Sequence, residues 1–322
     1  MKIKILVLTF AFIVACSISA VAGCQVDKST DESFFSFELG EDEQSYVVSA
    51  AEGVTMPETV FVPAEHNGLP VTAVKENGFS AKNCYAIKDV VLRTEKTLTL
   101  GANAFENLLN LRSVEFKAEE ILLKASVFAG CTALTEVEFG EKAVGIQVER
   151  YAFNDCSKMT ELKFDTVKSD EFVGGTELGE FALYGMKGLE KLTVSNLKTF
   201  APTAITGCNA IAEFDVKGEE YNSAEGDLYK VTSSGTELVR YAPAKAEDTF
   251  TVNTADLTCI RTGAFENAAN LKTVIFGENV VQLTIEDYAF AGSSVETLKG
   301  YSAEKITAGK NWLGESKIKT IE

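Results

Sequence analysis

The sequence predicts a β-rich solenoid of stacked coils, with parallel strands and short helical or 3₁₀ turns, capped at both ends. Three observations carry that expectation. The stretch Phe128-Ala129-Gly130-Cys131-Thr132-Ala133-Leu134-Thr135-Glu136-Val137-Glu138-Phe139 recurs, imperfectly, from residue 79 to residue 298. Its apolar positions are first three apart and then two apart. Each unit is also too short to bury its own apolar face, so only stacking on neighbours completes a core.

In chain order, Lys2 and Lys4 form a basic start, and Ile5 to Ala15 is an apolar run of 11 residues. That run is too short to span a bilayer and has the length of a signal-peptide core. Ala20-Val21-Ala22 can be read as a cleavage site that frees the protein. Val21-Ala22-Gly23-Cys24 resembles a bacterial lipobox, in which Cys24 becomes an acylated N-terminus; this is the preferred reading, with Ile13-Val14-Ala15-Cys16 a weaker match. Two acyl chains hold a protein firmly on a membrane, each buried CH₂ contributing ~0.8 kcal/mol. The expected organisation is a leader over 1–23, a polar tether over 24–33 and a β cap over 34–70. Repeats follow over 71–300 with a hairpin insertion at about 217–249, and a C-terminal cap occupies 301–322.

Within the cap, Phe35, Phe37 and Leu39 alternate, as do Val60 and Val62, and Asn67-Gly68 signals a turn. The repeats are anchored on Phe79, Phe105, Phe128, Phe153, Leu183, Ile205, Phe265 and Phe290. A small residue usually precedes the anchor. Three positions after it comes a cysteine site (Cys131, Cys156, Met186, Cys208, with Leu108 and Ala268 as substitutes), and three further on a leucine site (Leu111, Leu134, Met159, Leu189, Ile211, Leu271). Spacing by three suits one helical or 3₁₀ turn. Pairs two apart then follow, such as Val114 and Phe116, Val137 and Phe139, or Leu162 and Phe164. Period two marks a short strand with both residues inward, and stacked coils pair such strands into a parallel sheet. In the 60-residue gap before Phe265, Leu228 to Val231 and Glu237 to Tyr241 flank Thr232-Ser233-Ser234-Gly235, which reads as a hairpin.

The pattern A-F-x-x-C-x-x-L-x-x-V-x-F, shared by eight units between residues 46 and 300, resembles the leucine-rich repeats of the BspA-like family of bacterial surface proteins. Tyr46-Val47-Val48 and Val60-Phe61-Val62-Pro63-Ala64 are similar to that family's opening segment. Tyr221-Asn222-Ser223-Ala224-Glu225-Gly226-Asp227-Leu228-Tyr229 resembles its recurrent hairpin insertion. The resemblance implies a leucine-rich-repeat solenoid displayed on the cell surface, in a family associated with adhesion to host matrix proteins and contacts between bacteria. The fifth repeat departs from the pattern, with Leu183 for Phe and Met186 for Cys after Val173-Gly174-Gly175-Thr176, where a bend or loop is expected.

Charge and residue usage narrow the function. The formal charge is −17, and −19 once Lys2 and Lys4 leave with the leader. A field of that sign repels phosphate backbones and argues against nucleic acid as a partner. It also argues against adsorption of the folded surface to anionic lipid, so membrane attachment rests on Cys24. His66, the single histidine, sits beside Asn67-Gly68 and reads as a turn residue rather than a catalytic base. Of the five cysteines after Cys24, four fall at the same inward repeat position, Cys84 through two extra residues, and read as small buried hydrophobes. Cys131 and Cys156 lie in adjacent coils, but their side chains are expected to run parallel rather than meet in a disulfide; Cys259 is off the pattern and could be partly exposed. No metal or other cofactor is expected, nor an enzyme.

The outward strand positions remain. Glu115, Glu136, Glu138, Glu161, Lys163, Glu213 and Asp215, with Asp89, are expected to form an acidic strip across successive coils. A solvated, solubilising face is the plain reading of such a strip; a binding surface for a basic protein patch or divalent cations is the functional one. The expected function is therefore that of a lipid-anchored, non-enzymatic surface protein that binds host matrix or other cell-surface macromolecules. A structural or glycan- or nutrient-capturing lipoprotein is the alternative. Sugar binding calls for an exposed aromatic platform, and the one tryptophan is Trp312, near the end.

Overall fold

The computed structural model describes residues 29–168 and 174–322; Cys24 and the leader lie outside them. The described chain winds through coils, most of which contribute one strand to each of two walls. The first wall begins with Phe35–Leu39, antiparallel to Tyr46–Ala50. It continues in parallel through Leu69–Val74, Thr97–Leu100, Glu120–Leu123, Gly145–Val148, Gly175–Leu178 and Leu197–Phe200. The second wall runs Thr59–Phe61, Asp89–Arg93, Ser113–Lys117 and Glu136–Phe139. A second segment of it holds Glu161–Phe164, Lys191–Ser195 and Glu213–Lys217. Parallel stacking thus starts at Tyr46 and Thr59, inside the region read as a cap. It also reaches Ile306–Ala308 and Thr320–Ile321 at the far end.

The inward pairs behave as period two requires. Val114 and Phe116, and Leu162 and Phe164, are buried. The anchors stack coil on coil, with ring centroids 5.1 Å apart for Phe79 and Phe105, 5.6 Å for Phe105 and Phe128, and 5.4 Å for Phe128 and Phe153. Such offset pairs add about 0.5–1.5 kcal/mol beyond area burial.

The corner between the walls is a chain of turns rather than helix. Among the described residues of the repeats, only Lys82–Cys84 forms a 3₁₀ segment. The spacing by three is met by bonds such as Cys131 N–H to Phe128 C=O (3.1 Å) and Leu134 N–H to Cys131 C=O (3.0 Å). The corner N–H groups otherwise reach the next coil. The anchor amides of Phe79, Phe105, Phe128 and Phe153 donate to the carbonyls of Ala104, Val127, Ala152 and Ala182, at 2.8–3.0 Å. Two residues before every anchor except Ile205 the backbone turns left-handed, at Asn77, Asn103, Ser126, Tyr151, Phe181, Gly263 and Tyr288. Asparagine tolerates that conformation, and it aims the neighbouring groups along the stack.

The repeat cysteines gain a specific role. Cys131 Sγ donates to the Phe105 carbonyl at 3.1 Å, Cys156 to that of Phe128 at 3.3 Å, and Cys208 to that of Leu183 at 2.9 Å. A thiol is thus a small hydrophobe that also ties its coil to the one before, which Leu108, Met186 and Ala268 cannot do. All five described cysteines are free and buried, Cys259 included.

The stack has two hydrophobic cores. One runs from Phe35 to Leu228 with Ala242, the other from Leu238 to Ile306. Between them a coil is replaced by a meander of Tyr221–Ala224, Asp227–Thr232 and Gly235–Arg240, one strand more than the expected hairpin. Its last strand pairs in parallel with Leu257–Ile260 and resumes the first wall. Glu225 and Gly226 both have positive φ, as a two-residue hairpin turn of this hand demands.

Two buried charges hold this junction. Asp227, 1% exposed, accepts from the Ala242 N–H and from Lys245 Nζ, both at 2.9 Å. Burial pushes its carboxyl up to about 6, against the opposing effect of those two donors. Arg240, 3% exposed, donates to the Pro202 carbonyl (3.0 Å) in one block, and to the Gly263 carbonyl and Glu266 carboxylate (2.9 Å) in the other. Trp312 closes the far end, stacked on Tyr301 and edge-on to Phe290.

Candidate functional site

The outward residues of the second wall fall in register. Asp89, Ser113 and Glu136 form one row; Val91, Glu115 and Glu138 form the next. In the following segment, Glu161, Lys191 and Glu213 form one row, and Lys163, Thr193 and Asp215 the other. The structure therefore brings Glu115, Glu136 and Glu138 together and places Glu161 and Lys163 on the neighbouring strand. Glu213 and Asp215 stand two rungs further along.

The surface is not the uniform acidic strip that the sequence suggests. Lys117 pairs with Glu115 and Lys191 with Glu213, both at 2.7 Å; Lys217 lies 3.5 Å from Asp215, and Lys163 bonds Asp165. Counting only residues beside the inward pairs finds the acids and Lys163 but misses Lys117, Lys191 and Lys217, which pair with those acids. The most acidic part is that around Glu138. Its carboxyl is raised above the usual range, first by desolvation and then by repulsion from Glu136 and Glu115, which Lys117 partly offsets.

A break in the wall runs through this part. In the coils before it, Thr135 and Glu136 donate to the Arg112 carbonyl; after it, Glu190 and Lys191 donate to that of Thr160. Among the described residues, Glu136–Phe139 and Glu161–Phe164 are not joined in a ladder. They meet through the rings of Phe139 and Phe164, 5.2 Å apart. The connections to the first wall lengthen across the parting. Two residues link Ser113–Lys117 to its partner strand, five link Glu136–Phe139, and ten link Glu161–Phe164. Phe139 is consequently only partly buried, although its spacing marks it as core.

Beside the break lies a groove of about 990 Å³, lined by Glu115, Lys117, Glu138, Phe139, Lys163 and Asp165, with Glu119 and Glu141 from the connections. It has a partly exposed aromatic floor, with carboxylates and ammonium groups around it. His66 and the described cysteines lie away from this groove and are engaged elsewhere. His66 stacks on Phe37 at 3.9 Å, and its ring nitrogens contact Glu32 and Asn67 in the Asn67-Gly68 turn. Burial pushes the Cys131 and Cys208 thiols up to about 12. Among the described residues no cluster of His, Cys, Asp or Glu could hold a metal ion.

A feature the sequence reading missed lies at the left-handed corner. Where other coils carry Asn77, Asn103 and Ser126, two successive coils carry Tyr151 and Phe181, at φ 60° and 54°. Their rings stack at 5.5 Å, Tyr184 meets them edge-on, and the Arg150 guanidinium lies 4.9 Å from the Tyr151 ring. Aligning the position before each anchor's small neighbour would have exposed the change from polar to aromatic.

Comparison with known proteins is consistent with the winding. The BspA type leucine rich repeat region matches in six copies, over residues 72–212, 146–233 and 246–322. No curated protein matches the sequence. A leucine rich cell surface protein from Faecalibacterium prausnitzii superposes with a TM-score of 0.55 at 18% identity, over 85% of this chain and 76% of that one. The pneumococcal vaccine antigen PcpA superposes with a TM-score of 0.50 at 14% identity, over 91% and 87%. At these identities the likeness is one of fold. No helix among the described residues is long and apolar enough to cross a membrane.

Proposed function

This chain belongs to the BspA-type leucine-rich repeat family, and on that premise we propose that it is a non-enzymatic cell-surface protein that binds other macromolecules through its second wall. The observation that carries the reading is the groove over Glu115, Glu138 and Lys163, an indented, charged surface with a partly exposed ring on a rigid stack. Solenoids bind along such extended surfaces because successive coils repeat the same outward positions. The partner is a host matrix or bacterial surface protein with basic residues that pair with Glu136, Glu138 and Glu161. Display on the surface is supported by the leader and by the likeness to the F. prausnitzii leucine rich cell surface protein. Attachment is through lipid on Cys24.

Two experiments test this. The chain from Gln25 onward is presented to host matrix proteins and bacterial surface extracts, and its binding is compared with that of a variant carrying Glu115→Lys, Glu138→Lys and Glu161→Lys. Unchanged binding to every partner would leave the wall with a solubilising role alone. Metabolic labelling with a clickable fatty acid tests the anchor, since Cys24→Ala should abolish the label.

The aromatic corner favours a second reading, capture of a saccharide. Tyr151 and Phe181 occupy a strained backbone position without entering the core, and Tyr184 is 39% exposed beside them. Loss of glycan-array signal in Tyr184→Ala, with matrix binding intact, would support it; no signal in the unaltered chain would remove it.

A further inference from the structure

The strand Thr249–Val252 opens the second wall of the last block, and it is paired on one side only, with Thr273–Phe276. The carbonyl of Asp248 accepts from Lys272 and Thr273, and that of Val252 from Gly277. Backbone groups alternate sides along a strand, so the N–H and C=O of Thr249 and Thr251 point the other way. Among the described residues no backbone bond uses them.

The rung that should precede this strand is missing because the meander replaces it. The previous strand of the wall, Glu213–Lys217, has its own open side closed by that meander. Phe214 N–H donates to the Gly226 carbonyl and Val216 N–H to Ser223 Oγ, both at 2.9 Å. Thr249–Val252 has no such cover. Its open edge instead lines a cleft of about 710 Å³, with Asn222, Glu225 and Tyr229 across from it and Glu247 beside it. That volume falls in the range of ligand pockets, about 300–1,000 Å³.

Three further observations define what fits. Sheets commonly guard an open edge with lysine, proline or a bulge, and Thr-Phe-Thr-Val has none of these. Asn222 and Tyr229 are cross-strand partners, and the Tyr229 hydroxyl has no hydrogen-bond partner among the described residues although burial raises its pKa. Finally, Lys245 is committed to Asp227, while the carboxylates of Glu225 and Glu247 form no ion pair among the described residues.

We propose that this cleft receives a strand: an extended segment of a partner protein that pairs with the backbone of Thr249 and Thr251 and carries a lysine or arginine for Glu225 and Glu247. The chain's own charge of −17 opposes a second copy in that place. The site is separate from the groove over Glu115 and Glu138 and does not depend on it.

The test uses the purified full chain and a fluorescent peptide, Lys-Thr-Val-Thr-Val-Lys, with two controls. One control carries N-methyl groups on alternate amides; the other has glutamate for both lysines. The first peptide should bind and slow hydrogen exchange at the Thr249 and Thr251 amides. N-methylation on the pairing side should weaken it about tenfold, as loss of backbone bonds predicts, and the glutamate peptide should bind more weakly still. Thr251→Pro should have the same effect as N-methylation without lowering the melting temperature, because that N–H takes no part in the ladder to Thr273–Phe276. If that variant does not fold, the methylated peptides on the unaltered chain still decide. Equal binding of methylated and unmethylated peptides would overturn the proposal. So would no binding at millimolar peptide, or self-association of the chain that the peptide suppresses.

Discussion

Replacing Arg240 with methionine should uncouple the two halves of the stack. The side chain is buried where the first core ends and the second begins, and it bonds to Pro202 on one side and to Gly263 and Glu266 on the other. Methionine fills much of the volume but leaves two carbonyls and one carboxylate without their donor. Hydrogen bonds to a buried charge contribute about 1.5–3 kcal/mol each. Glu266 is one-third exposed and can be rehydrated, and the methionine recovers some apolar burial, so the net loss should be about 3 kcal/mol. With a urea slope of about 2 kcal/mol per molar, the midpoint should fall by about 1.5 M. The assay has a built-in reporter, because Trp312 packs on Phe290 and Tyr301 in the second core while most strands belong to the first. Tryptophan fluorescence and far-UV circular dichroism should coincide in the unaltered chain and separate in Arg240→Met, fluorescence changing first. Superimposed curves with a midpoint shift below about 0.3 M would refute the idea that this side chain staples the cores.

The remaining predictions concern single groups. Asp227 has a folded value of about 6, above the unfolded value of about 3.9, so the stability it contributes is fully present below that lower value and lost as pH rises through about 6. The difference is about 3 kcal/mol, and Asp227→Asn should flatten the stability profile between pH 4 and 6 in urea titrations; an unchanged slope would count against it. Cys131 and Cys208, held near 12, should resist Ellman's reagent at pH 8 until the chain is unfolded, and rapid native labelling would contradict their burial. Gly300 has φ +69°, and a Cβ there would lie 2.1 Å from the Phe276 carbonyl oxygen; Gly53 has φ +74° and open space. Gly300→Ala should therefore lower the melting temperature clearly more than Gly53→Ala, whose cost of about 1 kcal/mol is conformational alone.

The winding was legible because it is written many times. Phe128, Cys131, Leu134 and Val137 have counterparts in coil after coil, and their common spacing states the turn and the strand together. What repeats cannot express was not legible. The break between Glu136–Phe139 and Glu161–Phe164 leaves the inward pattern of Leu162 and Phe164 untouched; it coincides with longer connections, which periodicity does not measure. Asp227 and Arg240 lie in the interrupted coil, where no sibling shows that their positions are buried. The candidate surface was half legible. The rows of Glu115, Glu136 and Glu138 follow from period two, but the pairing of Lys117, Lys191 and Lys217 with neighbouring acids depends on register. In the starting stretch, Phe139 moves from core to groove floor, and Glu136 and Glu138 become the outward pair beside it.

The measurement closest to the central claim is the affinity of the chain from Gln25 onward for a captured matrix or surface partner, compared with that of the Glu115→Lys, Glu138→Lys, Glu161→Lys variant at low and physiological salt. Binding through the second wall predicts a loss of at least tenfold in the variant, larger at low salt, with an unchanged melting temperature. Equal affinity at both salt concentrations would contradict it and place the partner elsewhere on the stack.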